Sequence, residues 1–202
     1  MTVLLDKRSL NKILSLLNQE EIVAFPTDTV FGIGVIYNSA NAVNKMKIAK
    51  GRDASKPFPL MVADVEQMEE VAYLSDRERK IAEKYMPGAL TLVLNKKDTV
   101  DDSFVNGFKT IAIRIPDDRF ALRLLKKAGP MFVTSANMSG EPAANTHEEV
   151  LAQLDDRIAA VVKGEAKSHV ASTIIDCTGK ELKCLREGTI SFKEIRELVH
   201  EG

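Results

Sequence analysis

The apolar positions mark out alternating helices and strands. Leu10, Ile13, Leu14 and Leu17 follow the i, i+3, i+4, i+7 rule and predict an amphipathic helix from about Arg8 to Asn18. Ile22 to Phe25 is a continuous apolar run stopped by Pro26, the pattern of a buried strand. Gly32 and Gly34 bracket a second extended piece that reaches Tyr37. Ser39 is placed to cap a helix through Lys50, with Ala42, Val43, Met46 and Ala49 on one face. Further on, Pro59 to Ala63 reads as a strand, and Val65 to Tyr73 and Asp76 to Tyr85 as helices. Strands follow at Leu90 to Leu94 and Ile111 to Ile115. Asp117 or Asp118 caps a helix carrying Ala121, Leu122, Leu124 and Leu125, and Met131 to Val133 is another short buried strand. A loop from Thr134 to Thr146 leads to a helix from His147 to Leu154. The last part holds strands near Ala159 to Val162, Ser172 to Asp176 and Leu182 to Leu185, then a helix capped by Ser191 and running to Val199. Strands that alternate with helices, mixed with strands that follow one another directly, predict a two- or three-layer α/β domain with a mixed sheet.

Composition narrows the class. The chain has 202 residues, 45% hydrophobic and 28% charged, which is ordinary for a globular protein. A domain of this size buries roughly 70% of its unfolded surface and needs no disulfide or metal to hold it. No composition shift divides the sequence, so residues 1–202 are expected to form one domain. The net charge of −1 argues against a protein that coats nucleic acid. No apolar run reaches the ~18–20 residues of a membrane span, and Met1 to Leu10 lacks a signal-peptide pattern. Cys177 and Cys184 are too few for a disulfide framework. The expectation is a reduced, soluble, cytoplasmic protein, with the two thiols buried and inert.

The charge is unevenly placed. Lys45, Lys47, Lys50, Arg52 and Lys56 crowd a stretch whose one acid is Asp53. Cations at the end of a helix are favoured by its dipole. Alternatively, Lys50-Gly51-Arg52 forms an anion site, with lysine as a point charge and arginine as a fork. Thr134 to Gly140 is a second polar cluster, at the C-terminal end of a buried strand. It is either a turn or the lining of a ligand crevice. Pro26-Thr27-Asp28-Thr29 poses the same choice at another strand end. Arg114 lies among Ile111, Ile113 and Ile115; facing a pocket, it needs an anionic partner, for which a carboxylate is natural. Arg186 poses the same question. Walker, dinucleotide-glycine, HExxH and GxSxG motifs are absent, and His147, His169 and His200 are scattered, so no metal site is expected.

Taken together, these pieces resemble the YrdC-like L-threonylcarbamoyladenylate synthases from about Ile22 to Ile190. The matching segments are PTDTVFGIG (26–34), KGR (50–52), PGALTLVL (87–94), TIAIRIPD (110–117), TSANMSGEPA (134–143), STIID (172–176) and LREGTI (185–190), in family order. The family hallmark, KxR followed far downstream by SxN, is Lys50 and Arg52, then Ser135 and Asn137.

The resemblance implies a YrdC-like twisted, mixed parallel/antiparallel sheet flanked by helices, with a positively charged concave face. It implies a synthase that joins L-threonine, bicarbonate and ATP into threonylcarbamoyl-AMP and releases pyrophosphate. A separate enzyme complex then passes the group to tRNA beside the anticodon, so contact with tRNA is indirect or weak. Lys50, Arg52, Ser135 and Asn137 would be catalytic. Arg52, Lys56, Thr110, Ser135, Ala143 and Arg186 would hold ATP, Ala143 through backbone or packing. Thr29, Met61, Arg114, Val133 and Ser172 would hold threonine. Arg114 would fork onto its carboxylate, Val133 would use its backbone, and Met61 stands where several relatives carry histidine. Magnesium is expected with ATP. Longer relatives carry an additional C-terminal domain, which a single domain over 1–202 would lack.

Two other classes compete. An RNA-binding translation or ribosome-assembly factor would also use a positive face, but aromatics are 5% and tryptophan is absent, against the stacking platforms such proteins need. A carbamoyl-transfer module of the hydrogenase-maturation type lacks here its zinc-finger cysteines.

Overall fold

The computed structural model describes residues 1–51 and 57–200, the last without its side chain. Strand residues send alternate side chains to opposite faces, and half of the strands here are apolar at every position. Such strands need cover on both sides. β2 (Val23–Phe25) shows this: Val23 and Phe25 join one apolar cluster and Ala24 the other. β4 (Leu60–Met61), β7 (Met131–Ser135) and β8 (Ala160–Val162) divide in the same way.

The two clusters are two helix layers. α1 (Leu10–Asn18) and α5 (Arg119–Ala128) cover one face, through Leu10, Ile13 and Leu17 and through Phe120, Ala121, Leu124 and Leu125. On the other face lie α2 (Ala40–Lys50), α3 (Val65–Val71), α4 (Asp76–Tyr85), α6 (His147–Leu154) and α7 (Phe192–His200). The result is a three-layer α/β/α arrangement. Each fully buried leucine, isoleucine or phenylalanine adds about 1.5–3 kcal/mol of burial.

The remaining strands are β1 (Val3–Leu5), β3 (Gly32–Ile36), β5 (Leu90–Asn95), β6 (Thr110–Arg114), β9 (Thr173–Asp176) and β10 (Lys183–Arg186). The sheet order is β1-β8-β2-β3-β7-β4-β6-β5-β9-β10. β1–β8, β8–β2, β4–β6 and β5–β9 are parallel and the other neighbours antiparallel, a mixed sheet as expected.

Cover is unequal along this sheet. On β5, β6 and β9 the core side carries Leu90, Leu92, Leu94, Ile111, Ile113 and Ile175. The opposite side carries Thr91, Val93, Thr110, Ala112, Arg114 and Ile174, and all six line a cavity. α1 and α5 stop short of this half, so it stays open.

Local chemistry sets the helix ends. The Ser39 hydroxyl accepts from the Ala42 N–H and donates to Glu20, fixing the start of α2. α2 ends at Gly51, whose φ of +59° is left-handed. Asp118, and not Asp117, caps α5 by accepting from the N–H groups of Phe120 and Ala121. Thr146 caps α6.

Several boundaries differ from the sequence expectation. β1 was not expected; only Leu5 of its three residues is buried, which leaves almost no pattern. α1 starts at Leu10 rather than Arg8, with no side-chain cap. β7 runs two residues beyond Val133, because Thr134 and Ser135 still pair with Ile33 and Gly32. Cys177 follows β9 and Cys184 lies on β10; both are free thiols, one buried and one half-buried. No helix of the described residues is long and apolar enough to cross a membrane.

Candidate functional site

The open half of the sheet floors a cavity of about 610 Å³. Strand alternation aims Thr110, Ala112 and Arg114 of β6 the same way, over a run of ~13 Å. Val93 stands opposite Ala112 and Met61 opposite Arg114, and Thr91 is paired with Ile174. The floor therefore has a cationic end at Arg114, an apolar middle and an outer end at Thr110. Among the described lining residues the charged ones are Arg114, Arg186 and Glu141.

Arg114 is 5% exposed and closely held. Its Nε donates to the Gly88 carbonyl at 3.0 Å, its Nη1 to Thr29 Oγ1 at 2.7 Å and its Nη2 to Asp28 Oδ1 at 2.5 Å. A guanidinium has five N–H groups, so two remain for a ligand. Burial pulls the guanidinium below its usual value, Asp28 opposes that, and the charge of Arg186 adds to it. The anionic partner demanded by the sequence is thus present in the chain itself: Asp28. In the sequence Asp28 stands out only as part of the Pro26–Thr29 turn. The acid between two threonines was the available signal.

Proton accounting fixes the Thr27–Thr29 pair. The Thr27 hydroxyl donates to the Val30 carbonyl and accepts from the Thr29 N–H. The 3.1 Å contact between the two hydroxyls must then run from Thr29 to Thr27. Thr29 Oγ1, already accepting from Arg114, has one lone pair left and no proton to give. It can receive a ligand N–H or O–H only.

Ser172 and Arg186 form the neighbouring wall. Arg186 donates from Nε to the Ser172 carbonyl at 2.9 Å and from Nη2 to Ser172 Oγ at 3.2 Å. Ser172 Oγ is also 2.8 Å from Thr91 Oγ1. Gly188 makes this wall possible: a Cβ there would stand 2.3 Å from the Ala171 carbonyl oxygen.

The loop after β7 is tied down by Lys50. This lysine is 2% exposed, and its ammonium donates to the carbonyls of Ser135 at 2.5 Å and Asn137 at 2.8 Å. Its own carbonyl accepts from the Ser139 N–H. Asn137 Nδ2 donates to the carbonyls of Met138 and Glu141. Lys50 and the Asn137 amide thus shape the loop. Among the described residues no protein group bonds Ser135 Oγ, which lines the cavity.

The residues singled out in the sequence therefore distribute as follows. Thr29, Met61, Arg114, Val133 and Ser172 line the cationic end or its walls. Thr110, Ser135, Asn137, Ala143 and Arg186 line the same cavity. The Val133 N–H is already spent on the Pro59 carbonyl, which leaves its side chain and carbonyl. Lys50 lies behind the loop and is not among the lining residues. Arg52 and Lys56 lie outside the described residues.

The open face of the sheet thus carries a cavity with a pre-set cationic fork and a loop of small polar residues, a lining suited to small anionic molecules. Comparisons with known proteins name the kind. The chain matches the Sua5/YciO/YrdC family, described as telomere recombination, over residues 15–188. It belongs to that family. It is 37% identical over 189 residues to a threonylcarbamoyl-AMP synthase of Bacillus subtilis (strain 168), covering 92% of this chain and 55% of that one. A synthase of the same name from Pyrococcus abyssi is 34% identical, with the same coverage. The chain thus spans about half the length of these relatives. The crystal structure of P. abyssi Sua5 complexed with L-threonine superposes with a TM-score of 0.93 at 31% identity, over 100% of this chain and 61% of that one. The crystal structure of E. coli YciO shares the fold, with a TM-score of 0.86 at 22% identity, over 96% of this chain and 100% of that one.

Proposed function

We propose that this chain is a threonylcarbamoyl-AMP synthase, which condenses L-threonine, bicarbonate and ATP and releases pyrophosphate. The observation that carries the reading is Arg114: a buried arginine with three N–H groups fixed by protein and two left over at the end of a cavity. That is the receptor an amino-acid carboxylate requires. The ~13 Å floor from Arg114 to Thr110 leaves room beyond it for a second, larger ligand.

Threonine would lie with its carboxylate on Arg114, its donor groups toward Thr29 Oγ1 and Ser172, and its methyl toward Met61 and Val133. Its amine and bicarbonate give the N-carboxylated amino acid with loss of water. A carbamate oxygen then attacks the α-phosphorus of ATP, and the bond from that phosphorus to the bridging oxygen breaks as pyrophosphate leaves. All reacting groups are anionic, so the protein acts by positioning and by supplying cations and donors. Ser135 Oγ is free to donate to a phosphate oxygen, Arg186 adds charge, and Thr110 and Ala143 line the nucleotide end. Arg52 and Lys56 complete the nucleotide set by resemblance to the family. Lys50 and Asn137 act through the loop that carries Ser135.

Among the described residues no group of three acids, histidines or cysteines could hold a metal. Magnesium would therefore enter as part of its complex with ATP, held by phosphates and water. The product would serve a tRNA-modifying enzyme downstream, in the cytoplasm.

The test is pyrophosphate release from ATP with threonine and bicarbonate each omitted in turn. The proposal expects release with all three present and background without either one. Release that persists without threonine would show a different activity.

A further inference from the structure

The buried cation of the cavity carries an acid with it. Arg114 holds Asp28 at 2.5 Å, and the two residues are 5% and 9% exposed. Asp28 is not among the residues that line the cavity, so it stands behind the guanidinium. In a site that only gathered anions, a buried carboxylate at this place would oppose binding. The other two fixed N–H groups of Arg114 are met by neutral acceptors, the Gly88 carbonyl and the Thr29 hydroxyl. The third is met by a full charge.

Folding explains part of this, since a buried arginine without a counter-charge is destabilising. The charge also acts on the ligand. Arg186 reaches the Ser172 hydroxyl, which touches Thr91 on the cavity floor, and its charge is felt at Arg114. Arg114, Arg186 and Asp28 together leave one net positive charge at this end. An arginine fork takes a phosphate as readily as a carboxylate, so the fork alone cannot sort an amino acid from a polyphosphate. An amino acid at neutral pH is a zwitterion, and the attraction of Asp28 for its ammonium offsets the repulsion of its carboxylate. A phosphate group carries about two negative charges and brings nothing to offset Asp28. Thr29 works in the same direction. Its one open lone pair takes a ligand N–H or O–H, which an amino acid supplies and an ionised phosphate lacks.

We propose that Asp28 is a specificity-determining residue: it keeps phosphate and pyrophosphate off Arg114 and reserves that end of the cavity for a zwitterionic amino acid. The inference rests on the proposed function, which brings an amino acid and a triphosphate into one cavity and leaves pyrophosphate there.

The test is calorimetry of threonine binding, alone and in a fixed excess of inorganic pyrophosphate, with the native protein, Asp28→Asn and Asp28→Glu. Asparagine keeps an oxygen for the Arg114 Nη2 and loses the charge. Pyrophosphate should change the threonine affinity of the native protein by less than about twofold and weaken that of Asp28→Asn about tenfold or more, by competition. Threonine alone should bind Asp28→Asn within about threefold of native, because the gain at the carboxylate and the loss at the ammonium offset each other. Asp28→Glu should restore the native pattern. Weaker threonine binding in Asp28→Asn without new competition would show that Asp28 only holds Arg114 in place, and would overturn the proposal. Equal displacement of threonine in all three proteins would overturn it too. A crystal of the native protein soaked in pyrophosphate without threonine gives a reading that needs no variant: both phosphorus atoms should lie away from Arg114, and a phosphate on its free N–H groups would overturn the proposal. A native protein that binds no threonine would count against the proposed function alone, and the soak would still decide the role of Asp28.

Discussion

Lys50 offers the sharpest test of how the site is held. By the resemblance of its sequence it is half of a KxR signature, which would imply a lysine reaching a phosphate. The structure instead turns its ammonium to the carbonyls of Ser135 and Asn137. The two roles differ in what Lys50→Met does. Methionine fills the space of the lysine stem and removes the charge. If Lys50 only met a phosphate, removing a buried charge would leave the empty protein as stable or more so. If it ties the loop, two carbonyls lose a charged donor. Each such loss costs about 1.5–3 kcal/mol, so the variant should lose about 3–6 kcal/mol in urea unfolding. For a protein of this size that lowers Tm by roughly 6–24 °C. Limited proteolysis should open the chain near residues 135–141. A Lys50→Met protein as stable as the native one would refute the tie.

Three further outcomes follow from the same geometry. Arg114→Lys keeps a charge but loses the fork; it should weaken threonine binding by calorimetry about 10–100-fold, with ATP binding little changed, and equal losses for both would count against the carboxylate receptor. Gly188→Ala puts a methyl on the Ala171 carbonyl and should displace Ser172, raising the KM for threonine and destabilising the protein by about 1–3 kcal/mol; native behaviour would contradict the close packing. Burial pushes the Cys177 thiol up to about 12, and the thiolate is the nucleophile, so at pH 8 the folded protein should titrate one thiol, Cys184, and the unfolded protein two.

Much of this architecture could be read from the chain because most of its strands and helices have strong apolar patterns. Ile13 and Leu17, or Leu124 and Leu125, announce their helices by spacing alone. What failed to show is short or distant. β1 buries one residue in three, too little to leave a pattern. The run Leu90 to Leu94 reads as a buried strand, yet Thr91 and Val93 face the cavity. Nothing local distinguishes a face covered by helix from one left open for ligand. The site was partly legible: Arg114 stood out as a cation among isoleucines. Its partner Asp28 did not, because the contact joins positions 86 residues apart. Lys50 was legible as important, but its contacts with the Ser135 and Asn137 carbonyls were not, since backbone carbonyls carry no side-chain signature.

The most direct test of the central claim is the product itself. The protein is incubated with ATP, L-threonine and isotopically labelled bicarbonate, and the mixture is analysed by mass spectrometry at once. The account predicts an adenylate with the mass of threonylcarbamoyl-AMP that carries the label. AMP or ADP formed without any labelled adenylate would contradict it.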